Sequence, residues 1–103
     1  MPSGILGRAD LAVATNTTLY TVPANKLATV SINICNRVST SASVRIAIST
    51  TGTPADTDWI IYDAVVQGNG SLERTGLVLD AAELVVVYSS STGVTAMAYG
   101  YEE

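Results

Sequence analysis

Two stretches of strict alternation set the terms for the rest of this chain. Lys26–Asn36 reads KLATVSINICN, with Val30, Ile32 and Ile34 on one parity and Thr29, Ser31 and Asn33 on the other. Ala42–Ser49 reads ASVRIAIS, where Val44, Ile46 and Ile48 share one parity and Arg45 lies on the other. A period of two collects the apolar residues on one side of an extended backbone, whereas a helix would scatter them around its axis. Each segment is therefore a half-buried strand. The polar link Arg37–Ser41 has hairpin length, so direct antiparallel pairing of these two strands is the expected arrangement.

The remaining sequence continues in the same idiom. Thr50–Asp58 (TTGTPADTD) carries Gly52, Pro54 and two aspartates, which is loop chemistry. Trp59–Val66 (WIIYDAVV) is aromatic and branched, and Gln67-Gly68-Asn69-Gly70 after it tolerates the positive φ of a tight reversal. Ser71–Leu79 (SLERTGLVL) is a strand in which Gly76 marks a bulge or a close backbone approach. Asp80–Glu83 is one turn at most. Leu84–Tyr88 (LVVVY) is apolar on both parities, as in a strand covered on both sides or meeting a neighbouring subunit. Ser89–Gly93 is a turn, and in Val94–Tyr101 the large residues Met97, Tyr99 and Tyr101 share a parity with Thr95 while the small residues take the other.

Six to seven short strands punctuated by turns, with no convincing helix, predict an all-β fold: a single antiparallel β-sandwich or jelly-roll-like domain. Residues 1–18 are small, apolar and threonine-rich, with Pro2, Gly4 and Gly7 near the start, and read as an extended N-terminal arm leading into a sandwich of residues 19–103. A chain of 103 residues suits one such domain.

Composition excludes more than it suggests. There is no histidine, which removes Ser-His-Asp and Cys-His nucleophilic pairs, a histidine general base and the common zinc sites. A single cysteine, Cys35, rules out an intrachain disulfide, and on the strand parity opposite Ile34 with no base beside it, it reads as a structural thiol. Net charge is -4, and Arg8, Lys26, Arg37, Arg45 and Arg74 are scattered rather than clustered, so nucleic acid is not an expected partner. No apolar run nears the roughly 20 residues of a membrane span, so a soluble chain with no membrane partner is expected. MPSGILGRADLAVAT lacks a basic leader and an unbroken apolar core, so a secretory signal is not expected either. No cofactor motif is present, and an enzymatic role is not expected.

A few clusters carry chemistry worth weighing. Asp56, Asp58 and Asp63 are the densest acidic group, but their spacing does not reproduce a calcium loop, and a solvated loop is preferred. Nothing in the sequence fixes a carboxylate pair at glycosidase spacing. Asn16-Thr17-Thr18 and Asn69-Gly70-Ser71 match the glycosylation tripeptide, which matters only in a secretory pathway. Trp59, Tyr62, Tyr88, Tyr99 and Tyr101 are read first as core and subunit-contact residues and second as sugar-stacking platforms.

Several motifs, in order, resemble a known group. Thr17–Ala24 (TTLYTVPA), the strand ending in Ile34-Cys35-Asn36-Arg37, then RIAIS at Arg45–Ser49, TPAD at Thr53–Asp56, WIIYD at Trp59–Asp63 and LERTG at Leu72–Gly76 are similar to small virion structural proteins of tailed bacteriophages. The resemblance runs from about Leu6 to the YGYEE terminus. It implies a β-sandwich virion component, a capsid decoration (cement) protein or a tail-associated one, and it carries over no catalytic residue.

That resemblance implies a protein made in the cytoplasm of an infected bacterium and incorporated into the virion. Its partners would be the major capsid protein or another virion protein, and further copies of itself. By analogy with decoration proteins a homotrimer at local threefold positions is expected first. The mechanism would be burial of apolar surface between copies or against the shell. The expected contact residues are Ile5, Leu6, Leu11 and Val13 in the arm, whose stretch Ile5–Val13 would order only on binding. Leu84, Val85 and Val87 in the doubly apolar strand are added to these, with Met97, Tyr99 and Tyr101 in the last one. The alternatives are a tail, neck or baseplate component and a receptor- or carbohydrate-binding module using Trp59 and the tyrosines.

Overall fold

The computed structural model describes residues 3–103. Within them the chain forms eight strands: β1 (Ser3–Asp10), β2 (Thr17–Thr21), β3 (Ala28–Asn36), β4 (Ala42–Ser49), β5 (Trp59–Val66), β6 (Ser71–Leu79), β7 (Leu84–Ser89) and β8 (Val94–Glu102). A single 3-10 turn at Asp56–Asp58 precedes β5. The strands make two antiparallel four-stranded sheets, ordered β1-β8-β3-β6 (sheet I) and β2-β7-β4-β5 (sheet II). The fold is a β-sandwich. Its pairings are nested, β1 with β8, β2 with β7, β3 with β6 and β4 with β5, as though one long hairpin had been rolled up. That wrapping is the strand order of a jelly roll.

Alternation builds the core as the sequence predicts. Val30, Ile32 and Ile34 of β3 face Val44 and Ile46 of β4 and Val85 and Val87 of β7, and none of these has exposed surface. Burying a side chain of this size stabilises by about 1.5–3 kcal/mol. On β8 the small residues Ala96 and Ala98 point inward, and the large ones of the opposite parity point out. The shortest dimension of the molecule, 19 Å, matches two sheets about 10 Å apart with their outer side chains.

Two expectations are corrected. The strand count is eight rather than six or seven, because β1 comes from the stretch assigned to an arm, and β2 begins in its last two residues. β1 pairs with β8 from Ser3 opposite Tyr101 to Asp10 opposite Thr95, and Leu6 and Ala9 pack against the core. Beyond it the Leu11 N–H donates to Val94 O at 2.9 Å and Ala14 N–H to Ser89 O at 2.9 Å. The Ile5–Val13 segment is thus ordered within the subunit fold; Met1 and Pro2 lie outside the described residues.

The second correction concerns β3 and β4, which do not form a hairpin. They sit in opposite sheets, and Arg37–Ser41 crosses between them. Both strands are apolar on one side, so stacking face to face buries the same residues that a hairpin would place side by side on one face. Asn36 anchors the crossing. It is fully buried, and its Nδ2 donates to Thr40 O (2.8 Å), Val66 O and Gln67 O (both 3.3 Å), while its Oδ1 accepts from the Val38 N–H (3.2 Å). One side chain thereby ties the β3–β4 crossing to the β5–β6 turn.

The edge strands of the two sheets also meet. β1 and β2 each carry an extra residue, at Leu6 and Leu19, and the two irregularities meet. A Cβ on Gly7 would lie 2.2 Å from the Leu19 carbonyl oxygen, so only glycine permits this approach. The contact closes one open side of the sandwich. Between the sheets, Tyr20 of β2 donates its hydroxyl to Glu102 of β8, and both side chains are buried. Burial first, then the hydrogen bond to that carboxylate, pushes the Tyr20 phenol up from its ordinary value.

Candidate functional site

The outer face of sheet II carries the most organised group of polar and aromatic side chains. β4 presents Arg45 there, opposite Tyr88 of β7. On the other side the β4–β5 register slips between Val44 opposite Ala64 and Ile46 opposite Ile61, so Arg45 faces two residues, Tyr62 and Asp63. This is a β-bulge, and Asp63 occupies it at φ 54°. Positive φ is uncommon outside glycine, and aspartate is among the residues that adopt it most readily.

The bulge aims both residues at the guanidinium. Asp63 takes Arg45 Nε at 2.6 Å and Nη2 at 3.3 Å, a two-point ion pair. The guanidinium carbon lies 4.2 Å from the Tyr62 ring centre, 4.4 Å from that of Tyr88 and 6.0 Å from that of Trp59. Hydrogen bonding to Asp63 holds the Arg45 pKa above its ordinary value, and a guanidinium is a permanent cation in any case. Trp59 meets Tyr62 edge to face, with ring centres 5.5 Å apart and planes at 72°. Arg45 thus acts as a pin that fixes the aromatic rings.

The β4–β5 loop makes the wall of this site. It brings Gly52 against Thr18 of β2, at the far edge of the sheet. The loop thereby passes over the outer face, where Ala47 and Val86 are fully buried although they point away from the core. Asp58 Oδ2 accepts the Ala55 N–H at 2.9 Å and is occupied in holding the loop. Asp56 instead lines an open cleft of about 480 Å³ together with Trp59 and Tyr62. Tyr62 is 57% exposed.

The outer face of sheet I is different in character. Across it, Ile5, Tyr99 and Ser31 share one row; Ser3, Tyr101, Thr29 and Val78 another; and Arg8, Met97, Asn33 and Glu73 a third. Ile5 and Tyr101 are exposed and Met97 and Tyr99 half-buried, which gives an apolar band on β1 and β8; the polar Thr29, Ser31 and Asn33 of β3 separate it from the exposed Val78 of β6. Tyr99 donates its hydroxyl to Glu73, which raises its pKa. A surface ion pair, Arg37 Nη2 to Asp10 Oδ1 at 2.6 Å, borders the band.

The candidate contact residues therefore divide. Ile5, Val13 and Tyr101 are exposed, and Met97, Tyr99, Leu84 and Leu6 are half-buried. Leu11, Val85 and Val87 are buried in the core and leave the candidate surface. Of the two expectations for Leu84–Tyr88, the strand covered on both sides is the one observed: β7 lies centrally in sheet II, with Val86 under the β4–β5 loop. Trp59, Tyr62, Tyr88, Tyr99 and Tyr101 lie on the outer faces rather than in the core. Tyr20, outside that group, is the tyrosine that packs inside. Cys35 is exposed on sheet I between Thr95 and Ser71.

The three aspartates take three separate roles, in the cleft, in the loop and on Arg45. Among the described residues no group of three or more His, Cys, Asp or Glu is placed to hold a metal. No helix among them is long and apolar enough to cross a membrane. Sequence reasoning did not single out Asn36, the Tyr20–Glu102 pair, Val78 or the part played by Arg45. For Arg45 a signal existed: it is the one charged residue of β4 and lies on the outward parity, where cross-strand neighbours are the side chains within its reach. No protein-family model matches the chain, and a comparison with curated proteins finds no similar one.

Proposed function

We propose that this protein is a non-enzymatic virion structural protein of a tailed bacteriophage, acting as a capsid decoration (cement) protein. The observation that carries the reading is the apolar band on the outer face of sheet I. Met97, Tyr99 and Tyr101 stand there beside Ile5, on a sheet whose backbone is fixed by pairing on both sides of β8. A rigid, shallow, aromatic-bearing surface suits attachment by area, at about 25 cal/mol per Å² before the costs of association. The ordered motifs from TTLYTVPA to YGYEE support the same reading.

In this reading the band seats on the major capsid protein or on neighbouring copies of the chain, with a homotrimer favoured, and many weak contacts add up across a symmetric shell. The protein is made in the bacterial cytoplasm and resides in the virion. Neither nucleic acid nor membrane is a partner, and no cofactor is involved. The test is the number of copies per particle relative to the major capsid protein, by quantitative mass spectrometry of purified virions. Hundreds of copies support decoration. A few to a few dozen would transfer the protein to the tail, neck or baseplate, and absence from the particle would overturn the virion reading.

A further inference from the structure

We infer that the cleft of Asp56, Trp59 and Tyr62 on the outer face of sheet II is a binding site for a neutral hexopyranose, as a terminal residue of a glycan. The inference does not depend on the virion reading, and it concerns the face opposite the proposed attachment band.

The argument proceeds by the charge and shape of the walls. Trp59 and Tyr62 form an angled aromatic corner, and Tyr62 is more than half exposed although it lies over a guanidinium. An exposed aromatic normally retains rotamer freedom, which any ligand must quench. Here Arg45, fixed at two points by Asp63 and flanked by Tyr62 and Tyr88, holds the platform before a ligand arrives. The positive φ of Asp63 is a local cost of that arrangement, and such costs gather at ligand sites. The bulge is therefore better explained by the rings it orients than by the strand pairing it interrupts.

The occupant follows by elimination among ligand chemistries. An anion would meet the Asp56 carboxylate on the cleft wall and Asp58 in the same turn. A cation would find its place over the Tyr62 face already taken by the Arg45 guanidinium, which Asp63 holds there and which lies 6.0 Å from the Trp59 ring centre. A wholly apolar ligand would bury the Asp56 carboxylate without a partner. What remains is a neutral ligand with one apolar face and a rim of hydroxyls. A pyranose offers C–H groups to the ring faces, and vicinal hydroxyls that donate to Asp56 in charge-assisted hydrogen bonds. A cleft of about 480 Å³ accommodates one or two such rings.

Trp59 is the sole tryptophan, so its fluorescence reports on this cleft alone. The full chain is titrated with methyl glycosides of glucose, galactose and mannose and with N-acetylglucosamine, and separately with choline chloride and sodium sulfate. The expected result is a saturable change with at least one glycoside, at a Kd of about 0.1–10 mM. Tyr62→Ala and Asp56→Asn should each weaken it by about tenfold or more, with circular dichroism and melting temperature showing that both variants stay folded. Because Tyr62 and Asp56 are exposed, these variants keep the test valid even if Trp59→Ala fails to fold. Absence of a saturable change with every glycoside overturns the inference. So does glycoside binding that both variants retain, or binding of choline or sulfate alone.

Discussion

The most consequential single residue in the fold is Asn36, whose side chain makes four hydrogen bonds at a point with no access to water. Replacement by Leu keeps the approximate volume and removes the amide from the Thr40 and Val66 carbonyls and from the Val38 N–H, while the Gln67 carbonyl keeps the Gly70 N–H; each buried group left unpaired costs about 1–3 kcal/mol. Asn36→Leu should lower unfolding free energy by several kcal/mol in urea denaturation; a loss under about 1 kcal/mol would show that water replaces the amide there. The Tyr20–Glu102 pair makes a pH prediction. Because the folded-state pKa of Tyr20 lies above its ordinary 10.0, the stabilisation is complete below pH 10. Above that pH the unfolded chain releases a proton that the fold retains, and stability falls by about 1.4 kcal/mol per pH unit. Tyr20→Phe should be less stable at pH 7 yet show a flatter alkaline limb, measured by denaturation between pH 8 and 11. Neither residue was legible beforehand. Asn36 ends an alternating strand on its inward parity, and only the meeting of two loops, which periodicity does not encode, turns that position into a latch.

Elements were legible in proportion to the regularity of their alternation. β3, β4 and β8 have unbroken parity, and the sides they present were apparent from spacing alone, including the outward Met97, Tyr99 and Tyr101. β1 was hidden because an extra residue at Leu6 breaks its parity, and because Gly4 and Gly7 read as flexibility. What looked like slack is a requirement: Gly7→Ala should cost about 1–3 kcal/mol through its clash with the Leu19 backbone. An unchanged melting temperature would mean that the two edge strands can separate without loss. The pairing of β3 is not encoded in its sequence, for another reason. A one-sided apolar strand satisfies its burial equally by lying beside a similar strand or by facing one, and its sequence is the same in both cases. The cleft was half legible: its aromatic residues stood out, but the bulge that gathers them around Arg45 is a property of two strands in register.

At the scale of the whole molecule, the two outer faces divide the labour. The core needs none of the apolar side chains in the sheet I band, so they can be changed with little effect on folding. The double variant Ile5→Ser, Tyr101→Ser should shift unfolding free energy by no more than about 1 kcal/mol, while weakening sedimentation with emptied capsids at least about tenfold. Retained capsid binding would disqualify the band as the attachment surface. The nested pairings also have a mechanical consequence. In β1 and β8, Ser3 stands opposite Tyr101, so the first strand begins where the last one ends. Tension applied between those two points opens the ladder one rung at a time, like a zip, and should need little force in an optical trap. Tension across a sheet face loads many rungs at once. A domain wired this way tolerates being pressed and sheared on a surface far better than being pulled by its ends, so a heavy load would have to enter through its broad sides.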